Sequence, residues 1–152
     1  MISFKKSTEE DAKHIAMNLR KADIQELDAL GIENKYQSLR SAALDYGGCF
    51  TGMLYQTPIT MFGVAPIEER IGSIWLLGTD AITDRVPMGF LKYSKKLLPV
   101  LMEQYDLVCN MVHAENVVHV KWLEWLGFTF IREVTYGPKN EQFIEFAKIK
   151  ES

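Results

Sequence analysis

The chain has 152 residues, 47% of them hydrophobic and 24% charged, with a formal net charge of -3. That length favours one domain with a substantial core, and the slight acidity removes the global basic field that draws proteins to nucleic acid or anionic lipid. The apolar runs are too short to cross a bilayer, "MISFKK" lacks the apolar core of a signal peptide, and the only cysteines, Cys49 and Cys109, are too few for a disulfide framework. The expectation is a cytoplasmic protein with buried, reduced thiols and with neither a membrane nor a nucleic-acid partner.

In chain order, "MISFKKST" alternates as a short strand and ends on Ser7 and Thr8, either of which can cap a helix. Glu9, Glu10 and Asp11 suit the positive helix end, and Ala12, Ile15, Leu19 and Ala22 share one stripe across "STEEDAKHIAMNLRKADIQEL". Leu27, Leu30 and Ile32 around Gly31 predict a second short helical piece and a turn. "NKYQSLRSAALDYGG" predicts a further helix with Tyr36, Leu39, Ala43 and Tyr46 on one face, ended by Gly47 and Gly48.

"CFTGMLYQ" and "ITMFGVAPI" flank Thr57-Pro58 and read as a hairpin, followed by the very apolar strand "IGSIWLLGTDAI". "TDRVPMGFLKYSKKLLPVLMEQY" predicts a loop and then an amphipathic helix, kinked or cut short at Pro99. "DLVCNMV" is a buried strand. "VVHVKWLEWL" is a short apolar helix opened by Asn116, whose side-chain oxygen is placed to cap it, and ended by Gly127. "FTFIREVTYG" and "EQFIEFAKI" form a last hairpin. This order implies an α+β fold in three layers, α/β/α, with a mixed, mostly antiparallel sheet of six or seven strands flanked by helices. His14, His113 and His119 have no metal-ligand spacing with the cysteines, and "HAE" at 113–115 lacks the Pro-Cys-x-x-Cys of a zinc deaminase.

"ENVVHVKWLEWLGF" resembles the late motif of the GNAT superfamily of acyl-CoA N-acyltransferases. There an Asn opens a helix after the fifth strand, and a Gly-Phe pair leads into the sixth. "SIWLLGTDAI", "LVCNMVHAENVVHVKWLEWLGFTF" and "GPKNEQFIEF" more closely resemble the internal virion protein A family of short-tailed bacteriophages, itself similar to GNAT proteins.

The GNAT resemblance implies that "IWLLGT" and "DLVCNMV" are parallel neighbours that splay apart. The pantetheine arm of acetyl-CoA would then lie along Leu76, Leu77, Gly78 and Thr79, with Gly78 permitting a bulge. The pyrophosphate would sit over the start of the next helix, near Arg85 and Gly89, with Lys92, Lys95 and Lys96 in reach of the phosphates, and Asn116 would complete the cofactor set. The chain departs from the pattern twice. Pro87 and Met88 fill the expected glycine-rich turn, and Leu123 stands where many members carry a proton-donating Tyr. His119, one turn away, and Asp80, with Asp84 near it, are the candidates for proton transfer. Two functions follow. One is an N-acyltransferase moving an acetyl group from a CoA thioester to an amine acceptor. The other is a GNAT-fold phage protein without catalysis, acting on a virion or host protein partner in the host cytoplasm or packaged in the particle.

Overall fold

Helix α1 (Glu9–Met17) starts where the sequence puts its caps. Asp11 N–H donates to Thr8 Oγ1 at 3.2 Å and Thr8 N–H donates to Asp11 Oδ2 at 3.0 Å, a reciprocal box that satisfies two orphan amides. The computed structural model, which describes residues 2–45, 49–82 and 88–151, stops this helix earlier than its apolar stripe predicts. Leu19 leaves the helix to form a bridge with Thr79, and Arg20 N–H donates to Gly78 O at 2.9 Å. A strand sixty residues away thus outcompetes the next helical turn, and α2 (Lys21–Ala29) begins afresh.

The remaining elements are β1 (Ile2–Lys6), α3 (Lys35–Leu44), β2 (Cys49–Leu54), β3 (Thr57–Glu68), β4 (Ile71–Gly78), α4 (Met88–Leu101), β5 (Leu107–His113), α5 (Val117–Trp125), β6 (Thr129–Tyr136) and β7 (Glu141–Ile149). Asn34 Oδ1 caps α3 by accepting from Gln37 N–H at 3.0 Å. Tyr46, Gly47 and Gly48, expected to close that helix, lie outside the described residues. The β2–β3 turn falls on Tyr55 and Gln56, with Tyr55 at φ 56°, and Thr57 already belongs to β3. Pro58 is accommodated in the strand because the register shifts between Gly52 and Met53, a bulge that absorbs its missing donor. Helix α4 runs two residues past Pro99, whose lost hydrogen bond falls in the last turn.

The seven strands form one sheet in the order β1-β2-β3-β4-β5-β7-β6, and only β4 and β5 run parallel as neighbours. Side chains alternate across it. Phe62 and Leu76 join Phe90, Val108, Trp122 and Leu123 under α4 and α5. Met61 and Leu77 join Ile15, Leu27 and Leu39 under the first three helices. Phe62 meets Phe90 and Trp122 edge-on, at centroid distances of 5.5 and 5.8 Å. Full burial of a ring of this kind stabilises by roughly 1.5–3 kcal/mol. No helix among the described residues is long and apolar enough to cross a membrane.

Candidate active site

The parallel seam between β4 and β5 closes for three residue pairs only, Ile71↔Leu107, Gly72↔Val108 and Ser73↔Cys109. Beyond Ser73 the strands part. Asn110 marks the fork: its Nδ2 reaches Ile74 O at 2.8 Å while its Oδ1 accepts from Met111 N–H at 2.7 Å. A side-chain amide thus replaces the ladder bond that the widening backbone can no longer make.

Past the fork, one helix receives an amide from each strand end. Gly78 N–H donates to Asp23 Oδ2 at 2.8 Å, and His113 N–H donates to Glu26 Oε1 at 2.7 Å. Both carboxylates come from α2, three residues apart and so on one face. Helix α5 backs them at the same spacing. Asn116 Nδ2 donates to Asp23 Oδ1 at 2.9 Å, and His119 Nδ1 lies 3.3 Å from Glu26 Oε2. In the neutral tautomer that donates from Nδ1 to Glu26, Nε2 is the ring's acceptor. Arg20 Nη1 donates to Asp23 Oδ1 at 3.1 Å. All four side chains at the centre of this cluster are buried. Burial pushes the Asp23 carboxyl above its ordinary range against the pull of Arg20 and the Asn116 amide, and the nearby Glu26 charge adds to the rise. Two atoms find no hydrogen-bond partner among the described residues, Asn116 Oδ1 and His119 Nε2.

Residue by residue, the sequence-based assignments divide. Gly78 binds Asp23 and Arg20 with both backbone groups, so it faces the split. By alternation Leu76, two residues back, turns its N–H and C=O the same way, and β5 has already departed. Leu77 and Thr79 turn theirs toward β3; Thr79 N–H donates to Ile59 O at 2.9 Å. Of the four residues assigned to a pantetheine arm, Leu76 alone offers open backbone groups. Gly78 is not a bulge either. The β3–β4 register shifts at Pro66/Glu68, and a Cβ at Gly78 would meet Ile82 Cδ1 at 3.1 Å and Ile59 O at 3.3 Å. Close packing is what demands glycine there.

His119 sits in the cluster, whereas Asp80 is exposed on an outer groove with Arg20, Lys21 and Lys121. Asn116 does not cap α5 with its side chain: its Nδ2 is anchored on Asp23, and its Oδ1, the atom that would cap, meets no helix N–H. Gly89 and Lys92 are exposed on the first turns of α4, and open space surrounds Gly89. Lys95 lies over the Trp125 ring, 4.6 Å from its centroid, away from the helix start. Arg85 and Asp84 lie outside the described residues, and Leu123 is fully buried in the core. Burial lifts the Cys49 thiol to about 12, which fits a packing role. Among the described residues no group of His, Cys, Asp and Glu is arranged to hold a metal ion.

Asp23 and Glu26 are the residues that sequence reasoning missed. A signal existed: both continue the face of Leu19, Leu27 and Leu30, where a solvated helix would not place acids. Beside them lies a cavity of ≈ 190 Å³ on the α2–α3 side of the sheet, lined by Glu26, His119, Leu76 and Asn110 among apolar neighbours.

No family model matches the chain. Ard1 from Thermoplasma volcanium superposes over 99% of both chains with a TM-score of 0.75 and 12% identity. The ribosomal-protein-S18-alanine N-acetyltransferase from Escherichia coli gives a TM-score of 0.68 at 13% identity, over 100% of this chain and 96% of that one. The aminoglycoside acetyltransferase AAC(6')-Ib, solved in complex with coenzyme A, gives 0.65 at 15% identity over 99% and 95%. By sequence the chain is 25% identical to "Probable scaffold protein gp13" of Escherichia phage T7 over 124 residues, 80% of this chain and 81% of that protein. These likenesses fix the architecture: the chain has the fold of GNAT acetyltransferases.

Proposed function

We propose that the protein transfers an acyl group, acetyl in the first instance, from a CoA thioester to an amine. The observation that carries this reading is the Leu76 backbone, turned into a split that β5 has left. A pantetheine arm is peptide-like and pairs with such groups as an added strand. A strand amide at the same place polarises the thioester carbonyl. The AAC(6')-Ib neighbour, solved with coenzyme A, supports the choice of donor.

The proton chemistry goes to Glu26 and His119, not to the exposed Asp80. Glu26 holds the imidazole with its proton on Nδ1, and the Nε2 lone pair is the acceptor. The amine nitrogen attacks the thioester carbon, a C–N bond forms and the C–S bond breaks. One amine proton passes to His119, and the sulfur leaves as thiolate to take a proton from water. Buried Leu123 has none to give.

The test is binding and turnover together. Acetyl-CoA at about 100 times its dissociation constant stabilises the fold by roughly 2.7 kcal/mol. A raised melting temperature with acetyl-CoA, and free thiol released on adding an amine, are expected. No shift at millimolar acetyl-CoA, together with no thiol release, overturns the reading.

A second reading keeps the fold without the chemistry, as a virion-associated or host-interacting phage protein. One observation favours it: Gly78 has given both backbone groups to the protein's own Asp23 and Arg20, on the strand edge where a pantetheine would pair. The likeness to a phage protein called a probable scaffold protein stands beside it. The same acetyl-CoA melt separates the two.

A further inference from the structure

The cavity beside Glu26 is apolar to a degree that narrows its occupant. Leu27, Leu30, Ile32, Leu39, Trp75 and Met111 dominate its wall, and Glu26 is its one carboxylate among the described residues. One Glu26 oxygen holds the His113 amide and the other faces His119, whose Nε2 is buried without a partner. The wall therefore carries the Glu26 carboxylate, the His119 imidazole and the neutral polar side chains of Ser38 and Asn110, set in a greasy surface.

We propose that this cavity holds the acyl acceptor, and that the acceptor is a primary amine carried on a small apolar body. The proposal rests on the acyltransferase reading above and names the substrate class for it. Three features argue for this class. A polyamine or aminosugar carries several ammonium or hydroxyl groups, and burying each without a partner is unfavourable. One carboxylate, one imidazole and two small neutral polar side chains leave most of those groups without a partner. Size gives the second argument: ≈ 190 Å³ is below the ~300–1,000 Å³ typical of sites for drug-sized ligands, so an arm of side-chain dimensions enters. Chemistry gives the third, since one carboxylate beside one imidazole suits a single amino group.

The experiment is a chain-length series. Propylamine, butylamine, pentylamine and hexylamine are titrated calorimetrically into the wild-type protein without acyl donor, beside ethanolamine and spermidine. Affinity is expected to rise about fourfold per added methylene until the cavity is full. Ethanolamine and spermidine are expected to bind more weakly than hexylamine. The half-buried wall residue Ile32 supplies the variant: Ile32→Glu should flatten the alkyl series and favour spermidine. A flat wild-type series, or spermidine binding more tightly than hexylamine, overturns the proposal whether or not Ile32→Glu folds. The acyl-CoA melt is read separately. A rising alkyl series without an acetyl-CoA shift leaves the amine site standing and removes the transferase reading. An acetyl-CoA shift with a preference for spermidine does the reverse.

Discussion

The two ends of the β4–β5 seam hold the same pair of strands by opposite means. At the closed end three residue pairs zip by backbone alone, and an exposed bidentate ion pair, Arg70 to Asp106 at 2.6 and 2.7 Å, sits over the first of them. At the open end the strands never touch, and each gives an amide to a buried carboxylate on α2. Water decides how the acids behave. The hydrogen bond from Arg70 holds the Asp106 carboxyl below its usual range, whereas desolvation lifts that of Asp23 despite three hydrogen bonds. A closed seam needs only the backbone; an open one has to be built from side chains.

The largest expected effect breaks the open end. Asp23→Ala leaves Arg20, the Asn116 amide and the Gly78 amide without their acceptor, and removing one member of a buried charged pair costs about 3–5 kcal/mol. Urea unfolding measures it, and a loss below about 1 kcal/mol, the scale of a single ordinary hydrogen bond, would show that the open end does not depend on this acid.

Next comes pH, where the two ends should move in opposite directions. The folded pKa of Asp106 is lowered, so its contribution is present above the ordinary carboxylate range and lost as pH falls through it. That of Asp23 is raised, so its contribution is full below that range and lost as pH rises through the folded value. From neutral pH toward pH ~3.8, the unfolded value, wild type should therefore gain stability relative to Asp23→Asn and lose it relative to Asp106→Asn. Parallel curves for the two variants would erase the contrast.

A smaller effect tests the fork. Asn110→Ala removes the side-chain stitch to Ile74 O and should destabilise by about 1 kcal/mol. Faster amide exchange should appear at Ile74 and leave Gly72 and Ser73 unchanged; uniform acceleration along β4 would mean that the fork is not held at Asn110. The smallest effect belongs to Arg70→Ala, since exposed ion pairs contribute little. Its melting temperature should stay close to wild type, and a drop comparable with that of Asn110→Ala would reverse the ranking of the two ends.

Local chemistry made much of the fold legible. The helix cap at Ser7 or Thr8, the hairpin before Glu68 and the helix closed by Gly127 are decided within a few residues, and the element order follows from such signals. What sequence could not give is long-range competition. The stripe through Leu19 reads as one helix because its rival, the bridge to Thr79, is invisible locally. Asn116 has the right character for a cap, but Asp23, 93 positions away, anchors its Nδ2, and its Oδ1 meets no helix N–H. The parting of β4 from β5 was expected from the GNAT resemblance, and so were Leu76, Asn116 and His119 near it, although the two acids on α2 were not. Asp23 and Glu26 stand out locally only as acids on an apolar face, and their partners are strand amides 55 and 87 positions on.

The position of those two acids on a single nine-residue helix sets a dimension. Three residues of helix advance by about 4.5 Å, so α2 works as a ruler laid across the mouth, and the gauge of the opening is written in the interval from 23 to 26. Inserting one alanine between them would turn the second carboxylate by about 100° and strand one side of the sheet without its anchor.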